Sequence, residues 1–389
     1  MIRISEAYTI IENHARPSHT EKVTLESSLG RVLAADVKSD MDMPPFNKAS
    51  VDGYACRKED LGRPLKVIEM IPAGYFPKQN ISAGTCSKIM TGAKVPDGAD
   101  CVVMVEFTSE ENGFMTFTGT TTSNFAIMGE DAVKGQTLIS AGTLIRPQHI
   151  AVMASAGCTR PVVFSSPSIA IFATGNELVE PSAIPGPGQI RNSNGYQTLT
   201  QCLNAGFNAT YQGIIPDDPD ITYKTLAEAT EKNEVVILSG GVSMGDLDFI
   251  PSVMEKLGYR ILFEALKVQP GKPTTLAVKD NRFIVGLPGN PVSSLVQFNL
   301  IGKKLIYQLC GSPYEWESYS VKMAETYSRK KTERTGFTPV KLNANYEIEL
   351  LKYNGSAHIQ ALPVATGFLM VHEGIAEIKQ GEYGTYRPL

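Results

Sequence analysis

The sequence predicts a multidomain α/β plus β protein, and three observations support this prediction. Strands alternate with helices between about residues 168 and 310, which is typical of a doubly wound, mostly parallel sheet with helices on both faces. Short strands separated by turns dominate residues 41–132 and the stretch after Pro313. A chain of 389 residues is also too long for one ordinary hydrophobic core.

These changes of pattern divide the chain into four predicted parts. Residues 1–40 and 133–166 are expected to form an elongated, mixed N-terminal or linker domain, into which residues 41–132 are inserted as a small β domain. Residues 167–312 are the predicted central α/β domain. Residues 313–389 are expected to form a small, β-barrel-like domain at the C-terminus.

Two hairpins and one helix are predicted outside the α/β part. Asn112-Gly113 favours a tight turn between Val102–Phe107 and Phe114–Thr118. Asn354-Gly355 is the same signal near the C-terminus. Leu144–Ala156 is expected to be helical.

Within the α/β part, Val235–Leu238 is the most informative strand. Its four consecutive apolar residues predict burial on both faces of the sheet. Asn290-Pro291 is expected to begin a long helix that ends at Gly311. The other predicted strands are 169–173, 210–214, 260–266, 274–278 and 283–286, and the other predicted helices are 193–205, 219–232 and 249–257.

Four loops that follow predicted strands carry the candidate ligand-binding residues. They are Thr174–Glu177, Asp217-Asp218, Ser239–Asp248 and Gly286–Pro291. Ligands of open α/β sheets bind outside the carboxyl ends of the strands, so we expect these loops to converge on one ligand. In the third loop, Ser239-Gly240-Gly241 allows backbone N–H groups to approach an anion closely.

Carboxylates beside an anion-binding loop predict a phosphate ligand with a divalent cation. Carboxylates alone would repel the anion, whereas Mg²⁺ binds one or two carboxylates together with phosphate oxygens. Lys267 and Lys272 flank a Pro-Gly-containing turn. A lysine in such a turn can serve as a fixed positive charge for a phosphate or another oxyanion.

The composition restricts the class of partner and the cellular location. A net charge of −4 argues against a dedicated nucleic-acid or membrane-surface binder. No apolar run reaches transmembrane length, and the N-terminus lacks a signal-peptide pattern. The six cysteines are scattered without a C-x-x-C pair, which argues against a disulfide framework or a structural zinc site. Together these features predict a cytoplasmic protein.

Several motifs occur in an order that resembles one protein family. The most specific stretches are Ser50–Ala55 and Ile89–Val103, and the others are Gly129–Asp131, Thr174–Leu178, Ser239–Ser243, Pro270–Pro273 and Gly286–Val292. In this order they resemble the molybdopterin molybdenumtransferases, which include the E-domain of gephyrin. Enzymes of that family insert molybdate into adenylylated molybdopterin.

The resemblance implies a Mg²⁺-dependent transferase whose substrates are molybdate and adenylyl-molybdopterin and whose products are AMP and molybdenum cofactor. It also implies a homodimer joined through the elongated domain. The α/β domain of one protomer would then share a site with the small β domain of the other. Molybdopterin adenylyltransferase and recipient molybdoenzymes are further partners that the resemblance suggests.

The resemblance also assigns roles to individual residues. Glu177, Asp248, Asp52 and Asp131 would be catalytic, and the first three would hold the metal. The substrate-binding residues would be Thr91, Thr174, Gly175, Asp217, Ser239, Gly240, Gly241, Ser243, Lys267, Lys272, Pro288 and Pro291.

Two positions depart from the family pattern, and two other functions remain open. The usual aspartate before Glu177 is Asn176, and the usual lysine before Pro-Gly-Lys-Pro is Gln269. Lys267, two residues earlier, is expected to supply the missing charge. One alternative function is molybdopterin adenylyltransferase, which typically consists of the α/β domain alone. The other is a non-enzymatic scaffold, which would not need converging acids.

Overall fold

The computed structural model describes residues 1–241 and 249–389, which form two compact units. The large unit contains residues 1–22, 30–34 and 162–389, and the small unit contains residues 23–29 and 35–161. The predicted α/β plus β fold class is confirmed by the sheets described below. The finer division into four domains stays a prediction.

A six-stranded sheet forms the centre of the large unit. Its spatial order is Ala209–Ile215, Ile169–Thr174, Val235–Ser239, Arg282–Leu287, Pro273–Lys279 and Arg260–Ala265. The first four strands are parallel to one another, and Pro273–Lys279 is antiparallel to both of its neighbours. The sheet is therefore mostly parallel, as predicted, with one reversed strand.

Helices cover this sheet and bury its apolar side chains. All residues of Val235–Ser239 are buried, which confirms the strand predicted from its apolar run. Helix Pro219–Lys232 begins at Asp218, whose carboxylate accepts the N–H groups of Asp220 and Ile221 at 2.9 and 2.8 Å. The other helices of this unit are Ile4–His14, Asn194–Asn204, Ile250–Lys256, Pro291–Gln297 and Lys303–Leu309, the last two joined by the π-helical Phe298–Gly302.

A second six-stranded sheet lies near the C-terminus. Five strands follow the order Val268–Gln269, Thr335–Leu342, Gly367–Val371, Tyr383–Pro388 and Tyr319–Lys322, and Ile348–Leu350 also pairs with Thr335–Leu342. A bridge between Met323 and Ile348 brings opposite ends of this sheet together. The sheet therefore curls back on itself around a core that includes Val340 and Leu369, in agreement with the barrel-like prediction.

The hairpin predicted at Asn354-Gly355 is wrong. No strand flanks these two residues; the next element is the 3₁₀ helix Ile359–Val364. Tertiary contacts hold this segment instead, because Ser356 accepts a hydrogen bond from Asn290 Nδ2 at 2.9 Å. The chain reverses at Tyr346, between Thr335–Leu342 and Ile348–Leu350.

The small unit is built on a third six-stranded sheet. Its order is Cys101–Met104, Gly53–Cys56, Thr85–Ile89, Leu65–Ile71, Phe114–Phe117 and Thr108–Glu111. The turn predicted at Asn112-Gly113 is confirmed, with φ of 51° and 81°. The first strand of this hairpin is Thr108–Glu111, however. The strand predicted there, Val102–Phe107, overlaps Cys101–Met104, which pairs with Gly53–Cys56 instead.

Short elements complete both units. The predicted helix near residue 150 spans Pro147–Ser155. The two-stranded pairs are Thr20–Lys22 with Val162–Phe164, Val37–Lys38 with Thr137–Ile139, Lys48–Ala49 with Phe125–Ala126, Leu178–Val179 with Ile190–Arg191, and Tyr327–Ser328 with Glu377–Ile378. The remaining 3₁₀ helices are Glu26–Ser28, Lys58–Asp60 and Val105–Phe107. Among the described residues, no helix combines the length and apolar character needed to cross a membrane.

Candidate functional site

The large unit contains a cleft of about 1320 Å³ at the carboxyl edge of its central sheet. The predicted residues that line it are Thr174, Gly175, Glu177, Asp217, Ser239, Gly240, Gly241, Lys272, Pro288 and Pro291. The structure thus brings together residues from all four strand-end loops. Ser243 and Asp248, together with Asp246, lie outside the described residues.

The glycine loop after Val235–Ser239 packs tightly against the loop after Ile169–Thr174. Gly240 has a φ of +104°, and a Cβ atom there would lie 2.5 Å from the carbonyl oxygen of Thr174. The N–H of Gly240 donates to the carbonyl of Leu287 at 3.0 Å. Glycine is therefore needed here for the close approach of two loops, and this N–H group is engaged within the protein.

Two carboxylates line the described part of the cleft. Glu177 is exposed, and its carboxylate lies over Gly175, where any Cβ atom would collide with it. Asp217 is half-buried, and its Oδ2 accepts the N–H of Asn176 at 3.0 Å. Gly175 thus leaves the space that Glu177 occupies, and Asn176 fixes Asp217.

These two acids suit a hard cation that also binds a ligand. Mg²⁺ prefers oxygen donors and usually binds one or two carboxylates, with waters and phosphate oxygens completing its shell. Glu177 and Asp217 provide that number of carboxylates, both in the same cleft. Within the described residues no group of three or more His, Cys, Asp or Glu side chains forms a metal site. A ligand-assisted Mg²⁺ site fits the residues present.

Basic residues outnumber the acids in the described lining of the cleft. The basic residues are Arg191, Lys272, Arg329, Lys330, Lys331 and Arg334, against Glu177 and Asp217. Four of the six come from residues 329–334 of the C-terminal segment, which sequence reasoning did not single out. The only signal there was the basic run itself, and such a run more often covers a solvated surface. This excess of positive charge favours an anionic ligand.

The basic segment is held in place by one of its own arginines. Arg329 donates to the carbonyl groups of Ile375, Arg334 and His372 at 2.8, 2.9 and 2.6 Å. A guanidinium with three protein acceptors acts as a structural clamp, since these bonds occupy all three of its nitrogen atoms. Lys330 and Lys331, between the clamped ends, are exposed.

The turn that carries Lys272 is supported on several sides. The N–H of Lys267 donates to the carbonyl of Ile2 at 2.8 Å, and the N–H of Thr335 donates to the carbonyl of Lys267 at 3.0 Å. Gln297 Nε2 donates to the carbonyl of Pro270 at 3.4 Å. Lys272 is exposed and lines the cleft.

Lys267 occupies a different position from Lys272. Its side chain is not part of the cleft lining, and its Nζ lies 3.8 Å from Glu373 Oε2. Gln269 lines the cleft without a charge. The basic segment at residues 329–334 therefore contributes positive charge to the described lining of the cleft, and Lys267 does not.

Three predicted site residues belong to the small unit. Asp52 is exposed, and its Oδ1 accepts both the N–H and the hydroxyl of Thr91, at 2.6 and 2.7 Å. These two hydrogen bonds hold the pKa of Asp52 below its usual value. Asp131 is also exposed, and its N–H donates to the carbonyl of Met43 at 2.9 Å. The structure pairs Asp52 with Thr91, whereas within the described residues no hydrogen bond reaches the Asp131 carboxylate.

The fold is that of a multidomain α/β plus β protein, and the charge of the described cleft lining suits an anionic ligand. The family model described as the MoeA N-terminal region (domains I and II) matches residues 2–157. The model described as a probable molybdopterin-binding domain matches residues 170–308.

Proteins of known name and structure agree with these matches. The chain is 38% identical over 318 residues to a molybdopterin molybdenumtransferase of Bacillus subtilis, covering 78% of this chain and 74% of that protein. A Nostoc protein of the same name is 35% identical over 316 residues, covering 78% and 72%. The crystal structure of a molybdopterin biosynthesis MoeA protein from Pyrococcus horikoshii is 27% identical, with a TM-score of 0.86 and full coverage of both chains. This chain belongs to the molybdopterin molybdenumtransferase family, and it is a transferase of molybdenum cofactor biosynthesis.

Proposed function

We propose that this enzyme binds adenylyl-molybdopterin in the cleft, inserts molybdate and releases AMP, with Mg²⁺ as its cofactor. The observation that carries the proposal is the arrangement of charge: two carboxylates share one cleft with six basic residues in the described lining. A phosphoanhydride ligand with a bound cation needs both kinds of group. The volume of about 1320 Å³ also exceeds that of most small-ligand pockets, as a nucleotide joined to a pterin requires.

The basic side of the cleft would bind the anions. Molybdate is a dianion, and fixed positive charges offset part of the cost of removing it from bulk water. Three hydrogen bonds to Lys267 and Pro270 support the turn that carries Lys272, and Arg334 Nη1 donates to the carbonyl of Val268 at 3.3 Å. Both side chains therefore start from supported segments, which lowers the entropy lost on binding.

The acidic side would hold the cation against the anhydride. Glu177 and Asp217 are the carboxylates of the described lining, and in this proposal they hold Mg²⁺ together with Asp248. Bound Mg²⁺ would withdraw electron density from a phosphoryl oxygen. The residues themselves would orient the anhydride and place the oxyanion, so no side chain has to act as a covalent nucleophile.

Asp52, Thr91 and Asp131 belong to a second part of this proposal. We infer that the enzyme works as a homodimer and that the small unit of one protomer completes the cleft of the other. The support is chemical: Asp52 is an exposed carboxylate kept ionised by Thr91. An exposed, fixed carboxylate adds little to stability but can bind a cation.

The proposed function is tested by incubating the purified protein with adenylyl-molybdopterin, Mg²⁺ and molybdate and measuring AMP. We expect AMP release that depends on molybdate. Glu177→Gln should lower the rate by about 100-fold or more, the magnitude typical of lost electrostatic stabilisation. Glu228→Gln is the matched control, since Glu228 is an exposed acid on helix Pro219–Lys232, outside the cleft lining.

Two outcomes would contradict the proposal. AMP release at the same rate without molybdate would indicate simple hydrolysis of the anhydride. Formation of adenylyl-molybdopterin from ATP and molybdopterin, without insertion of molybdate, would favour the adenylyltransferase function.

A further inference from the structure

One wall of the cleft, residues 190–194, is held from behind by a chain of hydrogen bonds. Tyr211 OH donates to Glu180 Oε1 at 2.7 Å, and Asn192 Nδ2 donates to Tyr211 OH at 2.7 Å. Asn192 is 2% exposed, and its Oδ1 accepts the N–H of Gly195 at 3.1 Å. These hydrogen bonds therefore connect Glu180 to the first turn of helix Asn194–Asn204.

The same wall is joined to two of the strand-end loops. Asn194 Nδ2 donates to the carbonyl of Gly289 at 2.6 Å. The N–H of Ile190 donates to the carbonyl of Glu177 at 2.7 Å. A shift of the wall would therefore move the backbone that carries the Glu177 carboxylate, and it would also disturb the loop that contains Gly289.

Close packing of the Tyr211 ring against Gly195 also supports the wall. A Cβ atom at Gly195 would lie 2.6 Å from Tyr211 Cε2, so the tyrosine ring rests directly on the first turn of the helix. Burial, together with the hydrogen bond to Glu180, raises the pKa of Tyr211 far above its usual value. The hydroxyl therefore stays protonated and remains the donor to Glu180.

We propose that Glu180 and Tyr211 are positioning residues for this transferase, which act through Asn192 to hold the cleft wall in the geometry that binds the nucleotide-pterin substrate. The inference rests on the proposed function, because that function supplies the substrate. Removing the Tyr211 hydroxyl would leave the buried Asn192 amide without its acceptor, and this favours a shift of the wall. Substrate binding, which depends on the position of the wall, should weaken.

The test compares variants of Tyr211 and Glu180 in the molybdate-dependent release of AMP. Tyr211→Phe removes the hydroxyl and keeps the ring that packs on Gly195. We expect the KM for adenylyl-molybdopterin to rise roughly three- to tenfold, the effect of one lost hydrogen bond, with kcat changed less than about twofold. Glu180→Ala should behave in the same way. Glu180→Gln should restore a near-normal KM, because its amide oxygen still accepts the Tyr211 O–H.

Tyr196 provides a matched control. Its hydroxyl donates to the other oxygen of the Glu180 carboxylate at 3.1 Å, but its side chain is exposed and does not line the cleft. We therefore expect Tyr196→Phe to leave KM unchanged. Equal effects of Tyr196→Phe and Tyr211→Phe would overturn the proposal. So would a Tyr211→Phe protein with a lower thermal midpoint but an unchanged KM.

A second readout separates this inference from the proposed function. If the wild-type protein releases no AMP, the proposed function fails, and the dissociation constant of AMP measured by calorimetry then decides the role of Tyr211. Weaker AMP binding in Tyr211→Phe but not in Tyr196→Phe would support the positioning role of Tyr211. The same dissociation constant in all three proteins would reject it.

Discussion

Asn176 and Asp217 exchange two hydrogen bonds at the carboxyl edge of the central sheet. The N–H of Asn176 donates to Asp217 Oδ2, and the N–H of Asp217 donates to Asn176 Oδ1, both at 3.0 Å. The pair links the loops after strands Ile169–Thr174 and Ala209–Ile215. An amide oxygen accepts the Asp217 N–H as a carboxylate oxygen would, so asparagine keeps this link with one negative charge fewer than the aspartate that the family resemblance leads us to expect there.

Adding a negative charge at position 176 should change the requirement for Mg²⁺ without changing the fold. Asn176→Asp retains both hydrogen bonds and places a third carboxylate near Glu177 and Asp217. We expect the Mg²⁺ concentration for half-maximal AMP release to fall about two- to fivefold. This is the effect expected of one added negative charge at a partly solvent-exposed site. Thermal unfolding should be nearly unchanged. The same Mg²⁺ requirement in both proteins would indicate that these carboxylates do not bind the metal.

The Asp52–Thr91 pair predicts a pH effect with a definite sign. The hydrogen bonds from Thr91 lower the folded-state pKa of Asp52, so any stability they confer is present above the unfolded pKa and lost as the pH falls through the folded pKa. Thr91→Val removes the hydroxyl donor and keeps the backbone donor. We expect the pKa of Asp52 to rise toward its usual value, measured by NMR titration of the carboxyl carbon.

Thr91→Ser is the control for that measurement, because serine retains the hydroxyl. It should leave the pKa of Asp52 close to that of the wild type. If Thr91→Val also leaves the pKa unchanged, the backbone N–H of Thr91 alone accounts for the lowering.

Lys272 and Lys267 form a natural pair for testing where the oxyanion binds. Lys272 lines the cleft, whereas Lys267 lies outside its lining and near Glu373. We expect Lys272→Ala to raise the molybdate concentration for half-maximal activity about tenfold, with partial rescue at high molybdate. Lys267→Ala should change it by less than about twofold. A larger defect in Lys267→Ala would show that Lys267, rather than Lys272, supplies the charge at this site.

A shared site in a homodimer predicts complementation between two inactive variants. Asp52→Ala and Glu177→Ala are each expected to abolish AMP release. In a heterodimer of the two, one of the two symmetric sites would combine an intact Asp52 with an intact Glu177. Co-expression with different affinity tags should therefore yield a heterodimer with about half of the wild-type rate. An inactive heterodimer would place both residues in the same protomer's site.

Much of the central sheet was predictable because local sequence patterns agree with its tertiary environment. Val235–Ser239 is apolar and fully buried, and helix Pro219–Lys232 begins at an aspartate followed by proline. Strand-end loops also follow a general rule of open α/β sheets, and this rule suffices to place Glu177, Asp217 and the glycine loop at the carboxyl edge of the sheet, where they line the cleft. Where the local sequence pattern and the tertiary environment favour the same element, the sequence is sufficient to predict that element.

The elements that could not be predicted depend on contacts distant in sequence. Asn354-Gly355 has a strong hairpin signal, yet the neighbouring Ser356 contacts Asn290 and no hairpin forms. The basic run at 329–334 did not by itself indicate a site, because only the packing of the chain brings this segment to the cleft. Lys267 and Lys272 lie in one short segment, but the structure places only Lys272 in the cleft lining.

The sequence alone thus determined the family, the alternating core and the acids at the sheet edge, because short motifs and local periodicity along the chain are enough to indicate each of them. Tertiary structure alone decided which charges share the cleft and which residues support its walls. The Glu180–Tyr211–Asn192 chain joins residues up to 31 positions apart in sequence, and no local pattern encodes such a contact. The charge of the cleft lining and the support of its wall depend on how strands and loops pack together, because only packing brings residues that are distant in sequence into contact.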